Sequence, residues 1–596
     1  MLRTLSNVKG KNRWFAFLCL LLVGGQVYLD LLLPDYTKEI TLLINTESTN
    51  LNDYFICGGK MLACALLSAA LAVIVGYLAA AIASDLSFTI RGRLFRKVSS
   101  FGAAEIKQFS TASLITRTTN DITQIQMFVA MGLQVMIKAP IMAVWALLKI
   151  TGRSWELTAV TAAGVAVIVV TILILMAILL PKFKIVQTLV DDVNRVTREN
   201  LTGLRVVRAF NAEAYQEEKF EVASTNLKNT QLFTLRGMAF LFPIMSFVSS
   251  SVSLAIYTLG AYLIERIPMD NSSIQGMIQS MQSRAAMMGD VVAFSSYAMF
   301  IIMSFLMLLM IIMIFPRAQV SANRINEVLD APISVISGSR NSQDGVPKGT
   351  IEFKDVSFRY PGASEDCLKH ISFTAGTGET VAIIGATGSG KSTLVGLAAR
   401  LYDATSGEIL IDGMNIKDYS FDALYPKLGY VQQKAFLFAD SIRNNIAFGT
   451  CDHEFSREDI DRALEISQAF DFVAALEEGT QSPVSQGGSN VSGGQKQRLS
   501  IARAVARQPE ILIFDDSFSA LDYKTDRALR QALAREMSGT TCLIVAQRIG
   551  TIRHADRIIV LDDGEIAGMG THDELMASCQ VYQEIALSQL SAEELA

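Results

Sequence analysis

The chain is poor in charge and in histidine. Its 596 residues are only 18% Asp, Glu, Lys and Arg, four are histidine, and the formal net charge is −5. A basic surface that would attract a nucleic acid is therefore not predicted. The seven cysteines show no Cys-x-x-Cys spacing. We therefore predict no zinc site and expect reduced, structural thiols.

Charge is almost missing from several long stretches of the first half. Apolar residues make up 51% of the chain, and most acidic residues come after residue 350. This pattern is typical of a membrane protein with a soluble domain. Six runs are long enough to cross a bilayer, namely 15–35, 57–84, 128–150, 157–181, 238–264 and 291–315. The first run lacks a small-residue cleavage site, so we interpret it as a retained span.

Lysine and arginine are concentrated before the first run and in two long polar segments, one between runs two and three and one between runs four and five. By the positive-inside rule, both chain ends and both segments are predicted to be cytoplasmic. Amphipathic spacing, as in Val206, Phe210 and Phe220, predicts that these segments are long helices. Ordinary soluble loops are the alternative.

A stripe of methionines marks the sixth run. Its members recur at steps of three and four residues, which places them on one helical face; they are Met299, Met303, Met307, Met310 and Met313. Flexible thioethers suit a surface that accepts varied apolar ligands. Packing against another helix or against lipid is the alternative, and both interpretations stay open.

Residues 331–349 are rich in Gly, Pro and Ser and predict a linker between a transmembrane domain (1–330) and a soluble domain (350–596). Early in the soluble domain, the apolar run 381–385 predicts a buried strand. A Gly-x-x-x-x-Gly-Lys-Ser pattern follows, and this order of strand, loop and helix is typical of a phosphate-binding loop. Its predicted nucleotide-binding residues are Gly385, Thr387, Gly388, Ser389, Gly390, Lys391, Ser392 and Thr393.

Two of these side chains have defined expected roles. Lys391 should reach the β and γ phosphates of ATP, and the Ser392 hydroxyl should bind Mg²⁺. A second buried strand, which begins at Ile511, ends in Asp515, whose carboxylate is predicted to hold the Mg²⁺ shell.

A second anion-binding helix start is predicted at Ser492-Gly493-Gly494-Gln495. One nucleotide does not need two phosphate cradles from the same chain. We therefore expect these four residues to cover a nucleotide that is bound elsewhere.

Together these motifs resemble a half-transporter of the ATP-binding cassette exporter family. The resemblance implies six transmembrane α-helices with long cytoplasmic extensions, fused to an α/β phosphate-loop domain that uses ATP and Mg²⁺. It further implies that Tyr360 stacks on adenine, that Gln433 senses Mg²⁺ and that Ser492–Gln495 is the signature acting on a partner's ATP. Arg117 and Asp121 resemble the family's first cytoplasmic loop.

The chain departs from this family at two catalytic positions. Asp516 stands where the family usually has the glutamate that polarises the attacking water, and Gln547 stands where a histidine contacts the γ-phosphate. Aspartate is one methylene shorter, and a displacement of about 1 Å costs roughly a hundredfold in rate. Glutamine cannot carry the charge or relay the proton of histidine. We therefore predict a degenerate site that hydrolyses ATP slowly.

The resulting prediction is a subunit of a multidrug-type exporter of small amphipathic or hydrophobic compounds. It is an ATPase coupled to transport in a bacterial cell membrane, it pairs with a different half-transporter, and it binds no nucleic acid. Two alternatives stay open. One is a homodimeric exporter of lipid or peptide, and the other is an ATP-binding regulatory subunit with little turnover.

Overall fold

The computed structural model describes residues 10–44, 51–151, 154–269, 273–341, 348–449 and 454–589. Cys451 and the side chain of Met313 lie outside the described residues. The chain forms two compact units. The first comprises Met1–Arg96 and Ser113–Asp330, and the second comprises Lys97–Ala112 and Ala331–Ala596.

Six helices among the described residues are long and apolar enough to cross a membrane, which confirms the six-helix prediction. Numbered as spanning helices 1 to 6, they are Gly10–Ile44, Leu51–Ser99, Thr111–Ile150, Trp155–Thr202, Glu213–Glu265 and Gln275–Leu308. The sixth belongs to a helix that continues to Asp330. Spanning helix 4 has 48 residues, more than twice the roughly 20 that hydrocarbon requires. The polar extensions are therefore helical, as predicted.

Spanning helices 3 and 5 are interrupted. Helix 3 contains the α-helical pieces Thr111–Thr116, Ile122–Met131 and Ile137–Ile150, separated by π-helical turns at Arg117–Asp121 and Gly132–Met136. Helix 5 consists of Glu213–Ala239 and Leu241–Glu265, and two short helices, Ala103–Phe109 and Leu204–Ala209, lie between the long ones. At the first π-helical turn, buried Arg117 donates to the Arg324 carbonyl over 2.7 Å and to Glu327 over 2.8 Å.

Glycines let spanning helices approach each other closely. A Cβ on Gly164 of spanning helix 4 would lie 2.2 Å from Cγ2 of Val252 in helix 5. One on Gly260 of helix 5 would lie 2.4 Å from Cγ2 of Val291 in helix 6. Small residues commonly allow such contacts between membrane helices. They help bury the apolar core of the unit, which includes Phe294 and Ile301.

Among the described residues, three ion pairs connect spanning helix 1 to helices 3 and 6. Asp30 pairs with Lys138 over 3.0 Å, Asp35 with Lys149 over 2.6 Å, and Lys38 with Asp290 over 2.7 Å. Buried Tyr297 of helix 6 also donates its hydroxyl to Asp35 over 2.7 Å. Charges within a spanning helix are costly unless they are paired, so these contacts fix the position of helix 1. No sequence pattern indicates these pairs.

The described residues of the second unit form three β-sheets. The strands are β1 Ile351–Phe358, β2 Leu368–Ala375, β3 Thr380–Gly385, β4 Ser406–Ile411, β5 Met414–Asn415, β6 Leu428–Val431, β7 Asp440–Ser441, β8 Pro483–Val484, β9 Ile511–Asp515, β10 Thr541–Val545, β11 Arg557–Asp562 and β12 Glu565–Gly570. One sheet has the order β12-β11-β3-β10-β9-β6 and is parallel except for β12. An antiparallel sheet has the order β2-β1-β4-β5, and β7 pairs with β8.

Besides Ala103–Phe109, the helices of this unit come between and after the strands along the chain. The α-helices are Lys391–Ala398, Phe421–Leu424, Ile442–Ile446, Arg457–Ile466, Phe470–Ala474, Gly493–Ala506, Tyr523–Glu536, Ile549–Ile552, His572–Ser578 and Gln580–Leu587. Three 3₁₀ turns occur at Tyr425–Lys427, Gly479–Gln481 and Gln486–Gly488.

Strand alternation divides the core of the second unit in two. In β9, Ile511 and Ile513 pack into one apolar cluster, while Leu512 and Phe514 pack into the other. All five residues of β9 are buried, as expected for a strand covered on both faces. In the six-stranded sheet, β10 lies between β3 and β9. The loops at the carboxyl ends of β3, β9 and β10 therefore meet at one edge of the sheet, where α/β proteins bind ligands.

Candidate nucleotide-binding site

A glycine-rich loop connects β3 to the helix that begins at Lys391. Gly388 and Gly390 have φ values of 91° and 97°, which side chains with a Cβ rarely adopt. A Cβ on Gly390 would also lie 2.6 Å from Cδ2 of Leu368 and 3.1 Å from the Cys367 carbonyl oxygen. The loop therefore needs glycine at position 390 for both conformation and space. Its form fits a phosphate-binding loop at a helix N-terminus.

The ammonium group of Lys391 lies inside this loop. It donates to the carbonyl oxygens of Gly385 over 2.9 Å and of Ala386 over 2.7 Å. Burial lowers the pKa of Lys391, and the charges of Asp516 and Asp515 oppose that shift. A cation held within a loop of backbone amides suits a ligand with several negative charges.

Ser392 and Asp515 meet next to this lysine. The Ser392 hydroxyl donates to Oδ1 of Asp515 over 2.7 Å. Burial is the main cause that raises the pKa of Asp515, and the Ser392 hydrogen bond opposes it. A hydroxyl and a carboxylate are hard oxygen ligands, which Mg²⁺ prefers. This pair of side chains therefore fits a magnesium ion that accompanies a bound nucleotide.

Asp516 follows β9 in a left-handed backbone conformation, with φ of 48°. Its Oδ2 atom accepts two amide donors, Nε2 of Gln433 over 3.2 Å and Nε2 of Gln547 over 2.8 Å. Burial raises the pKa of Asp516, and the Gln433 hydrogen bond is the largest opposing effect. Both glutamines thus stabilise the carboxylate, and its Oδ2 atom accepts from two amide donors.

Tyr360 lies just beyond β1 and contacts the helix of the phosphate loop. Its hydroxyl lies 2.8 Å from the Thr393 hydroxyl. The rings of Phe358 and Tyr402 meet the Tyr360 ring nearly at right angles, at 81° and 87°. These contacts hold the ring beside a cavity of about 570 Å³, large enough for part of a small ligand.

Ser492 starts the helix Gly493–Ala506 and forms a reciprocal cap with Gln495. The Gln495 backbone N–H donates to the Ser492 hydroxyl over 3.3 Å, and the Ser492 N–H donates to the Gln495 side-chain oxygen over 2.9 Å. The capping box fixes the N-terminus of a 14-residue helix. Ser492 and Gly493 are exposed, so this helix start can meet a ligand or partner from outside.

The structure brings most of the sequence-predicted residues together. The phosphate loop, Ser392, Asp515, Asp516, Gln433 and Gln547 form one hydrogen-bonded or charge-coupled group. Ser492–Gln495 forms a separate feature of the same unit.

Two supporting residues were missed by sequence reasoning. Tyr430 of β6 points its hydroxyl at Oδ2 of Asp515 over 3.5 Å, and burial raises its pKa. Gln589 donates to the Gln547 carbonyl over 2.7 Å and accepts from the Ile549 N–H over 2.9 Å. Tyr430 could be found only from the position of β6 next to β9 in the sheet. No local sequence pattern points to Gln589.

Comparison with known proteins agrees with this arrangement. Residues 368–519 match the ABC transporter family, and residues 15–287 match the ABC transporter transmembrane region. An uncharacterized ABC transporter ATP-binding protein of Mycobacterium tuberculosis is 37% identical over 89% of this chain and 88% of its own length. An ATP-dependent lipid A-core flippase of Haemophilus influenzae is 31% identical over 87% of this chain and 85% of its own.

A solved structure shares the fold. It is described as a bacterial Atm1-family ABC exporter with ATP bound, and it aligns with a TM-score of 0.73 over 96% of this chain and 98% of its own. Its sequence identity is 23%, so the likeness concerns the fold alone.

Proposed function

The chain belongs to the ABC transporter family as an exporter half-transporter, and from that premise we propose that it is the degenerate-site subunit of a heterodimeric exporter. Its substrates are small amphipathic or hydrophobic compounds, and the complex lies in a bacterial cell membrane with the ATP-binding units in the cytoplasm. The site on Lys391 and Asp515 binds ATP with Mg²⁺ and hydrolyses it slowly. Ser492–Gln495 acts on the ATP that the partner binds.

The observation that carries this proposal is the environment of Asp516. Its carboxylate is one methylene shorter than the usual glutamate, and its Oδ2 accepts hydrogen bonds from both Gln433 and Gln547. A general base must reach the proton that it removes, directly or through one water. A carboxylate that is set back by one methylene and has one oxygen engaged by two amides is a weaker base than a glutamate that reaches the water directly. Gln547 is neutral, so it adds no positive charge where negative charge develops during phosphoryl transfer.

The remaining residues suit binding rather than fast turnover. Lys391 and the backbone of its loop supply donors and charge for the β and γ phosphates, and Ser392 and Asp515 supply oxygen ligands for Mg²⁺. The Tyr360 ring offers a stacking surface for the base. None of these roles depends on a strong base, so ATP held here can close the site without being split at once.

The methionine stripe supports the substrate class. Met299, Met303 and Met310 are exposed in this chain, while Tyr297 and Ile301 of the same helix are buried. The thioethers therefore face away from the chain's own core. Such a flexible apolar surface suits amphipathic ligands of varied shape, although lipid or a partner helix would also suit it.

A homodimeric lipid exporter is the second candidate. Relatives from three organisms that are 31–32% identical to this chain carry the name ATP-dependent lipid A-core flippase. Under this alternative, both sites contain Asp516 and Gln547, and both turn over slowly. A regulatory subunit that holds ATP without driving transport is a third candidate.

Purification of the tagged full-length chain from its native membrane, followed by identification of what copurifies, separates these candidates. We expect a second half-transporter with glutamate and histidine at the positions of Asp516 and Gln547. ATP turnover of the complex should survive Asp516→Ala and be lost when the partner's glutamate becomes alanine. A self-dimer with normal, compound-stimulated turnover would refute the heterodimer, and equal loss from both substitutions would refute the unequal sites.

A further inference from the structure

The short helix Ala103–Phe109 lies against the Tyr360 ring within the second unit. The Lys107 ammonium lies 5.1 Å from the centre of this ring, in the position of a cation–π contact. Ala104, Lys107 and Gln108 line one side of the cavity of about 570 Å³ that Tyr360, Pro361 and Tyr402 line on the other. A helix whose sequence lies between two spanning helices therefore forms part of the wall beside the predicted base-stacking ring.

Glu105 fixes this helix in place. It is 6% exposed, its Oε2 accepts from the Gly102 N–H over 2.8 Å, and its Oε1 accepts from the Ser334 N–H over 3.0 Å. The first bond caps the helix, and the second connects it to the residues before β1. Because both oxygens of Glu105 are bonded, the helix that carries Lys107, two residues further on, is fixed next to Tyr360.

The exposed Lys107 side chain places its ammonium over one face of the Tyr360 ring. Phe358 is buried and Tyr402 is half-buried, and both belong to the apolar core beneath Tyr360, whereas Lys107 is exposed. Aromatic rings stack with centres about 4.5–7 Å apart, and the ammonium lies within that range. A base and the Lys107 ammonium therefore cannot both occupy this face.

We propose that Lys107 competes with the purine base for Tyr360, so that ATP binding displaces it. This inference rests on the proposed stacking role of Tyr360. Entry of the base then exchanges a cation–π contact for a stacking contact and frees the Lys107 side chain. The first cytoplasmic helix of the transporter thereby detects whether the base subsite is filled, independently of the phosphates.

The test compares a ligand that has a base with one that does not. Equilibrium dissociation constants for ATP and for inorganic tripolyphosphate are measured by titration calorimetry on the full-length chain in lipid nanodiscs without Mg²⁺. Loss of a positive charge affects both polyanions, so the informative quantity is the ratio Kd(ATP)/Kd(tripolyphosphate). Lys107→Met should lower this ratio two- to fivefold, which corresponds to a cation–π contact of about 0.5–1 kcal/mol.

Two control variants isolate the contact. Lys107→Arg retains the cation and should leave the ratio unchanged. Lys97→Met removes the same charge from the same segment, but Lys97 lies over Phe101, with its ammonium 5.9 Å from that ring, so the ratio should again be unchanged. In a Tyr360→Ala background, Lys107→Met should no longer lower the ratio, because the ring for which the two groups compete is gone.

The outcomes separate this inference from the proposed function. The competition is refuted, while base stacking stands, if Lys107→Met leaves the ratio unchanged or raises it. The same holds if Lys107→Met lowers the ratio as much in the Tyr360→Ala background as it does in the native chain. If Tyr360→Ala alone leaves the ratio unchanged, base stacking on Tyr360 is refuted, and the competition with it.

Discussion

Nε2 of Gln547 lies 2.8 Å from Oδ2 of Asp516, and the two residues that depart from the family pattern are therefore direct partners. Asp516 and Gln547 are chemically complementary, since one accepts the hydrogen bond that the other donates. The aspartate carboxylate is short, and it accepts a hydrogen bond from the neutral amide of Gln547, at the position where the resemblance to the family implies a histidine. A pair that interacts directly should not respond additively to mutation. The two positions therefore need to be changed together.

The double variant Asp516→Glu/Gln547→His should accelerate hydrolysis at this chain's own site by up to about a hundredfold, since it restores both the reach of the base and the cationic contact. Asp516→Glu alone should gain less, because Gln547 would still bind the carboxylate. The measurement is single-turnover ATP hydrolysis in a complex whose other site is disabled. Asp516→Asn keeps the size but cannot act as a base, so its rate should fall below that of the native chain. Equal rates in the native and doubly substituted complexes would show that the site is slow for another reason.

The stability of the ATP-binding unit should fall on mild acidification because of His572. This residue is 6% exposed, its Nδ1 lies 2.8 Å from the Tyr582 hydroxyl, and burial lowers its pKa below 6.5. The unfolded chain then binds a proton at a higher pH than the folded chain. The stabilising contribution is complete above about pH 6.5 and is lost as the pH falls through the folded pKa.

His572→Gln should therefore reduce the fall in the unfolding midpoint between about pH 7.5 and 5.5, because glutamine retains a hydrogen-bonding side chain without titrating there. Thermal unfolding of the full-length chain, followed by a probe in the ATP-binding unit, measures this. His370→Gln is the control, because His370 is an exposed histidine of the same unit whose pKa is raised by its hydrogen bond with Asp355, so this variant should not reduce the fall. An identical pH dependence in the native chain and in His572→Gln would remove His572 as the cause.

The six spanning helices and the phosphate loop could be predicted because each has a local cause. Twenty apolar residues cross a bilayer whatever their neighbours, and glycines at Gly388 and Gly390 are needed by backbone conformation alone. The pairing of Asp35 with Lys149, by contrast, joins residues 114 positions apart. Neither charge signals its partner, since both interrupt apolar runs that were interpreted by average hydropathy. Such contacts depend on how the helices pack against each other, and the hydrophobic periodicity of one helix carries no information about its neighbours.

The same difference between local causes and contacts of distant residues applies to the site. Asp516 and Gln547 were identified one at a time because the resemblance assigned a role to each position, but their mutual hydrogen bond required the register of β9 and β10. Lys107 was assigned only to a basic segment that orients the membrane spans. Its contact with Tyr360 depends on the return of a short helix to the second unit.

Breaking the pair of Lys38 and Asp290 should destabilise the membrane unit. Asp290→Asn leaves an ammonium without its carboxylate inside the spanning region, and removing one partner of a buried pair costs about 3–5 kcal/mol. The cost should be smaller here because the two side chains are 27% and 23% exposed. The exchanged pair Lys38→Asp/Asp290→Lys should regain part of the loss in thermal midpoint in nanodiscs. Glu199→Gln, which breaks the exposed pairs with Arg195 and Lys219, should leave the midpoint unchanged. Failure of the exchange to restore anything would show that the charges act through other contacts.

Close contact between spanning helices 5 and 6 should make Gly260 intolerant of even one methyl group. A Cβ there would lie 2.4 Å from Cγ2 and 2.9 Å from Cγ1 of Val291, so Gly260→Ala forces the helices apart at a cost of about 1–3 kcal/mol. Val291→Ala removes both methyl groups and should restore stability when combined with Gly260→Ala, which makes the pair strongly non-additive. Gly24→Ala, where a Cβ would meet nothing within 4 Å, should be neutral or slightly stabilising because alanine favours helix. Thermal unfolding of the four variants in nanodiscs measures all of this. Equal effects of Gly260→Ala and Gly24→Ala would mean that the two helices have room to adjust, and that the glycine is not what sets their separation.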